Sequence, residues 1–160
     1  MAIKILSDDL INQISAGEVV ERPANIVKEL IENSIDSDAT KIEVFLRNGG
    51  LQSIIVNDNG NGISESELPT AILRYATSKL TNNNLNEIDN FGFRGEALPA
   101  IASISNMKII SKIQNQNYAS VLELENGKII SQKPSNRDKG TSVSVYSIFE
   151  KTPARLKFLK

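Results

Sequence analysis

The sequence predicts an α+β domain, a two-layer sandwich with helices on one face of a mostly antiparallel, mixed sheet. Three observations lead there. Apolar residues between about 18 and 35 recur at helical spacing. From residue 41 the period changes to two, and strand-like alternation fills the chain from 106 to 148. Helices first and strands afterwards, with Asn48-Gly49-Gly50 and Asn126-Gly127 as turns between strands, is the order of an α+β sandwich.

Each element follows from local chemistry. Residues 3–6 read as a short strand, and Asp8 or Asp9 caps a short helix through about Ile14. A longer helix runs from about 18 to 35. Pro23 is tolerated near its start, where the missing N–H matters least. Its buried stripe is Val20, Val27, Leu30, Ile31 and Ser34. Residues 41–47 put Ile42, Val44 and Leu46 on one face, and 51–58 return as the second arm of a hairpin. The glycine-containing loop Asp58-Asn59-Gly60-Asn61-Gly62 leads to a helix over 65–74. Residues 76–92 are polar and Asn-rich, a long loop of the kind that often forms a functional lid. A helix begins near Gly95 and runs to about Ile104, and strands at 106–113, 117–124, 127–133 and 139–148 complete the sheet.

Composition narrows the chemistry. At 160 residues the chain has the size of one domain with a real core. Eighteen basic residues against nineteen acidic ones give a charge of −1, which does not mark a dedicated nucleic-acid binder. A local basic patch remains, because Lys151, Arg155, Lys157 and Lys160 stand together without an acid. Cys and His are both absent, so disulfides, thiolate chemistry and a histidine base are excluded. Acid–base work falls to Asp, Glu, Lys or Tyr. A metal would be hard and oxygen-bound, with Mg²⁺ favoured over Zn²⁺. The N-terminus has no long apolar run or cleavage site, and no stretch has the length of a membrane span. The expectation is a cytoplasmic protein with no membrane partner.

Three constellations carry possible chemistry. Glu29, Asn33 and Asp36 share one face of the long helix, where a carboxylate and an amide four residues apart could hold a water and a cation. The plainer reading is a solvated polar face opposite the apolar stripe. In Asp58-Asn59-Gly60-Asn61-Gly62 two glycines allow close backbone approach, and Asp58 at a strand end would point into a cavity. The plainer reading is an Asp-rich turn; a calcium loop is disfavoured because its ligand series stops. Gly92-Phe93-Arg94-Gly95-Glu96-Ala97-Leu98 enters a helix, so its free N–H groups and the helix dipole suit a phosphate, or simply form a turn and cap. It is not a Walker A loop, since GxxxxGK[ST] is absent.

Taken in order, AGEVVERPANIVKELIENSIDS, DNGNGI, ATSK, GFRGEALPAIASIS, GTSVSV and TPARLKFL resemble the MutL-type DNA mismatch repair proteins. The likeness runs from about Ile3 to the last residue. GEVVERP and GFRGEAL are specific to that family. The ENS and DxGxG elements are shared with the wider GHKL ATPases, which include gyrase B subunits, heat-shock chaperones and sensor histidine kinases.

The resemblance implies a GHKL (Bergerat-type) sandwich that binds ATP between its helices and a lid. Glu29 matches the family's general base and Asn33 its Mg²⁺ ligand. Asp58 matches the reader of adenine, with Gly60 and Gly62 giving the base room, and Thr141 matches a residue near the adenine. Thr77, Ser78 and Lys79 lie where the lid begins. Gly92, Phe93, Arg94, Gly95, Glu96, Ala97 and Leu98 match the loop and helix start that wrap the phosphates. The chemistry agrees: adenine presents an N6 amino donor where guanine presents an O6 acceptor, so an ionised Asp58 favours ATP over GTP.

On this reading the protein is an ATP-binding and ATP-hydrolysing switch with ATP and Mg²⁺ as cofactors. ATP binding would drive N-terminal homodimerisation. Its partners would be a MutS-type mismatch-recognition protein, a downstream nuclease or helicase, and DNA. The resemblance also implies that 1–160 is an ATP-binding domain incomplete at its C-terminal end. The second domain, which supplies a lysine to the γ-phosphate, and the dimerisation domain are then lacking, and hydrolysis by this chain alone is poor. The alternatives are another GHKL role, topoisomerase, chaperone or kinase, and a non-catalytic remnant.

Overall fold

The computed structural model describes residues 2–8, 10, 11, 14, 20–73 and 97–158, the side chains of Arg155, Leu156 and Phe158 excepted. Helix α1 spans Pro23–Asp36. It starts later than the apolar pattern suggests, because Arg22 is extended (φ −138°, ψ 158°) and Pro23 occupies the first helical position. The side-chain oxygen of Asn25 accepts from the N–H groups of Arg22 (2.8 Å) and Glu21 (3.1 Å), which steadies this entry. The buried residues of α1 are Ile26, Leu30 and Ser34. Val20 is buried but precedes the helix, and Val27 packs at the core's margin.

The sheet has six strands: β1 (Ile42–Arg47), β2 (Ser53–Asp58), β3 (Asn106–Lys112), β4 (Ala119–Glu125), β5 (Lys128–Ser135) and β6 (Gly140–Tyr146). Their spatial order is β1-β2-β6-β3-β4-β5. The predicted sandwich is present, and every pairing among the described residues is antiparallel, so no parallel pair makes the sheet mixed. Hairpins join β1 to β2, β3 to β4 and β4 to β5. The β4–β5 turn is the predicted Asn126-Gly127, both residues at positive φ (48° and 85°). Strand β6 returns from the far edge to lie between β2 and β3.

Alternation decides the core. Ile54, Val56, Met107, Ile109, Leu122, Leu124, Val143 and Val145 face one side and bury there with Ile26 and Leu30 of α1 and Ile101 of α2 (Ala97–Ser103). The other face carries pairs such as Lys108 opposite Glu123. Strand β1 is an edge, and Val44, Phe45 and Leu46 are 38%, 51% and 51% exposed. The opposite edge, β5, contains Pro134, whose missing donor an edge strand tolerates. A short helix α3 (Pro153–Phe158) ends the described chain.

Three local expectations change. Residues 3–6 do not form a strand; Ile3 and Ile5 are fully exposed and have no strand partner among the described residues. The helical turn that follows is capped by Ser7, whose hydroxyl accepts from the N–H of Leu10 (3.3 Å), whereas Asp8 is already helical and Asp9 lies outside the described residues. Of the helix expected over 65–74, the described part, 65–73, is a series of turns and a 3₁₀ segment, Thr70–Ile72, and Arg74 lies outside the described residues. Pro69 supplies no N–H in its middle, which breaks the α ladder.

Candidate functional site

Asp58 ends β2 on the inner face of the sheet, 8% exposed. Its carboxylate is held from three sides. Ser34 of α1 donates its hydroxyl to Oδ2 (2.7 Å). The N–H groups of Gly60 (2.9 Å) and Thr141 (3.2 Å) donate to Oδ1. Thr141 is the register partner of Asp58 across β2 and β6, so the two side chains share a face. A carboxylate offers about four acceptor positions, two per oxygen. Among the described residues two donors meet Oδ1 and one meets Oδ2, so Oδ2 keeps acceptor capacity for a further donor.

The loop after Asp58 is clamped between α1 and β3. A Cβ on Gly60 would collide with the Ser37 hydroxyl and come within 2.7 Å of the Ser37 carbonyl. Gly62 has φ +79°, and a Cβ there would strike the carbonyl oxygen of Lys112. The two asparagines are clasps rather than ligand contacts. Asn59 accepts from the N–H groups of Thr40 (2.8 Å) and Lys41 (2.9 Å). Asn61 donates to Asp38 (3.1 Å), and its own N–H reaches the Ser37 carbonyl (2.8 Å). They tie the loop to the turn between α1 and β1. Gly62→Ala is therefore expected to destabilise the fold by about 1–3 kcal/mol from backbone strain alone. A denaturant titration with an unshifted midpoint would contradict this clamp.

Glu29 and Asn33 lie one turn apart on α1 and are half-buried. Each directly precedes a buried residue, Leu30 and Ser34, so the pair borders the buried stripe rather than facing away from it. Asn33 is adjacent in sequence to the serine that holds Asp58. Asp36, on the same face, is also half-buried. Among the described residues no group of three or more carboxylate, His or Cys side chains converges on a metal. Ala97 and Leu98 open α2, partly buried. Thr77, Ser78, Lys79, Gly92, Phe93, Arg94, Gly95 and Glu96 lie outside the described residues.

Sequence reasoning misses three members of this neighbourhood. Ser34 reads only as part of a buried stripe, although a serine at an apolar position signals a polar partner. Ser111, in the same position on β3 after Met107 and Ile109, is fully buried and sits 2.7 Å from the Thr141 hydroxyl. Arg137, in the β5–β6 connection, donates to the main-chain carbonyl of Asp58 (3.0 Å). Burial lowers the pKa of this guanidinium from its ordinary value, against the opposing pull of Asp58 and Asp138. No periodicity marks Arg137, because only the fold brings it to Asp58.

Comparison with known proteins is consistent with this geometry. Residues 21–150 match the family of histidine kinase-, DNA gyrase B- and HSP90-like ATPases. The whole chain is 49% identical over 160 residues to the DNA mismatch repair protein MutL of Bartonella tribocorum, of which it spans 26%. Among solved structures, the Aquifex aeolicus MutL ATPase domain complexed with ADP superposes with a TM-score of 0.70 at 32% identity, covering 89% of this chain and 49% of that one. The N-terminal domain of a DNA repair protein gives a TM-score of 0.76 at 35% identity, covering 92% and 42%. The chain thus spans about a quarter of the curated relative's length and under half of these solved chains.

Proposed function

This chain belongs to the histidine kinase-, DNA gyrase B- and HSP90-like ATPases, in their MutL branch, and from that premise we propose that it binds ATP against Asp58 and hydrolyses it as the switch of a mismatch repair protein. The observation that carries the reading is the buried Asp58 carboxylate, held by three protein donors among the described residues and with acceptor capacity left on Oδ2. The exocyclic amine of adenine supplies the missing donor. Gly60 and Gly62, where a Cβ would strike Ser37 and the Lys112 carbonyl, keep the loop beside Asp58 tight against its neighbours. The Aquifex aeolicus MutL ATPase domain is complexed with ADP, which supports nucleotide binding by this chain.

Hydrolysis needs a base, and without histidine a carboxylate is the available choice. Glu29 takes that role and draws the proton from the attacking water. Asn33 would hold Mg²⁺ through its amide oxygen. One carboxylate and one amide oxygen at a half-buried helix margin fit this ion, which keeps waters and phosphate oxygens as its other ligands. When bound, Mg²⁺ supplies charge neutralisation at the phosphates. Thr141 flanks the base, and Ala97 and Leu98, with Thr77, Ser78, Lys79 and residues 92–96, contact the nucleotide. Closure on ATP would drive N-terminal dimerisation and recruit the MutS-type recognition protein, a nuclease or helicase, and DNA.

Calorimetric titration is the test. ATP and ADP should bind at least about tenfold more tightly than GTP, since the 6-oxo group opposes an acceptor where adenine supplies a donor. Equal affinity for the two bases would remove Asp58 from the role of base reader.

A further inference from the structure

Ser111 is fully buried and its hydroxyl oxygen has three neighbours. The N–H of Ile63 lies 2.7 Å away, the carbonyl oxygen of Gly140 3.1 Å, and the hydroxyl of Thr141 2.7 Å. A serine hydroxyl has one hydrogen to donate and two lone pairs to accept with. Two of the three neighbours have fixed polarity. The Ile63 amide only donates, so it occupies one lone pair. The Gly140 carbonyl only accepts, so in the arrangement that keeps all three bonds it takes the hydrogen. What remains toward Thr141 is a lone pair, and Thr141 must donate to it. The hydrogen of Thr141 is thereby turned inward, and its oxygen presents only lone pairs to the site.

We propose that Ser111 is a positioning and specificity-determining residue, which orients the Thr141 hydroxyl as an acceptor beside Asp58. The inference rests on Asp58 as the reader of the base. Thr141 and Asp58 are cross-strand partners on the inner face of the sheet. With Ser111 in place, the wall offers the acceptor capacity left on Asp58 Oδ2 and, next to it, a second acceptor. A base with an exocyclic amine, or one carrying a water that donates, meets both. A 6-oxo base sets its O6 acceptor against both where adenine has its amine, and carries its one nearby hydrogen on N1 instead. Removing the Ser111 hydroxyl frees the Thr141 hydrogen to rotate outward, and the wall then accommodates the 6-oxo base.

The experiment compares ATP with inosine triphosphate, which exchanges the 6-amino group for a 6-oxo group and turns N1 from an acceptor into a donor. Affinities are measured by calorimetry for the parent, Ser111→Ala, Ser111→Cys, Thr141→Val and the double variant Ser111→Ala/Thr141→Val. The parent should prefer ATP, and Ser111→Ala should lower the ATP-to-inosine preference by about tenfold. Ser111→Cys fills nearly the same space and should fold where alanine does not; its weakly bonding thiol should lower the preference in the same direction. In the Thr141→Val background Ser111→Ala should change the preference no further, because the group it orients is gone. A purely structural serine would weaken both nucleotides equally, and an unchanged ratio in a folded Ser111 variant overturns the proposal, as does full additivity in the double variant. A parent that binds both triphosphates equally refutes the base reading itself, and Ser111's role falls with it.

Discussion

Asp58→Ala is expected to abolish measurable ATP binding and to lower stability. The lost charge-assisted hydrogen bond to the base amounts to about 1.5–3 kcal/mol. Three protein donors lose their acceptor as well: the Ser34 hydroxyl and the N–H groups of Gly60 and Thr141. Each donor left buried without a partner costs about 1–3 kcal/mol. Asp58→Asn separates the two effects. Its amide oxygen replaces Oδ1, accepting from Gly60 and Thr141, and its NH₂ replaces Oδ2. One N–H then reaches the Ser34 oxygen, and the other points into the position that served the ligand. The asparagine variant should fold, bind ATP at least about tenfold more weakly, and shift its preference toward inosine triphosphate. Calorimetry on the two variants reads this directly. Unchanged ATP affinity in Asp58→Asn would sink the assignment of the Oδ2 acceptor.

Glu29→Ala should leave Mg²⁺-ATP binding largely intact and slow hydrolysis by about 10²–10⁴-fold, the usual contribution of a general base. Its position at the half-buried margin of α1 makes the truncation tolerable to the fold, since the residues that pack there are Ile26, Leu30 and Ser34. Asn33→Ala should behave differently. It removes the amide proposed to hold Mg²⁺, so nucleotide affinity should lose its dependence on the ion while Mg²⁺-free binding stays near the parent's. Single-turnover phosphate release, with affinities measured with and without Mg²⁺, distinguishes the two. Near-parent turnover by Glu29→Ala would exclude it as the base.

The sequence alone determined the sandwich, nearly every strand, the β4–β5 turn and the family. Those features are local: a period of two over seven residues, or Asn-Gly at φ > 0, acts on the chain within a few residues. Contiguous motifs also singled out Glu29, Asn33 and Asp58 as candidates, through the family resemblance that those segments carry. The misjudged pieces were equally local in kind but decided by small competing terms. Pro69 broke a helix that apolar spacing favoured, Pro23 set the start of another, and exposed Ile3 and Ile5 found no strand to pair with among the described residues. Tertiary structure alone decided the surroundings of Asp58. The return of β6 between β2 and β3 put Thr141 beside Asp58 and Ser111 beside Thr141, across 83 and 30 residues of chain. The same return brought Arg137 to the Asp58 carbonyl across 79. Hydrogen bonds between such distant residues leave no spacing to read, since their partners are chosen by strand order and register. Strand order and register, in turn, are set by how the whole inner face buries its apolar side chains.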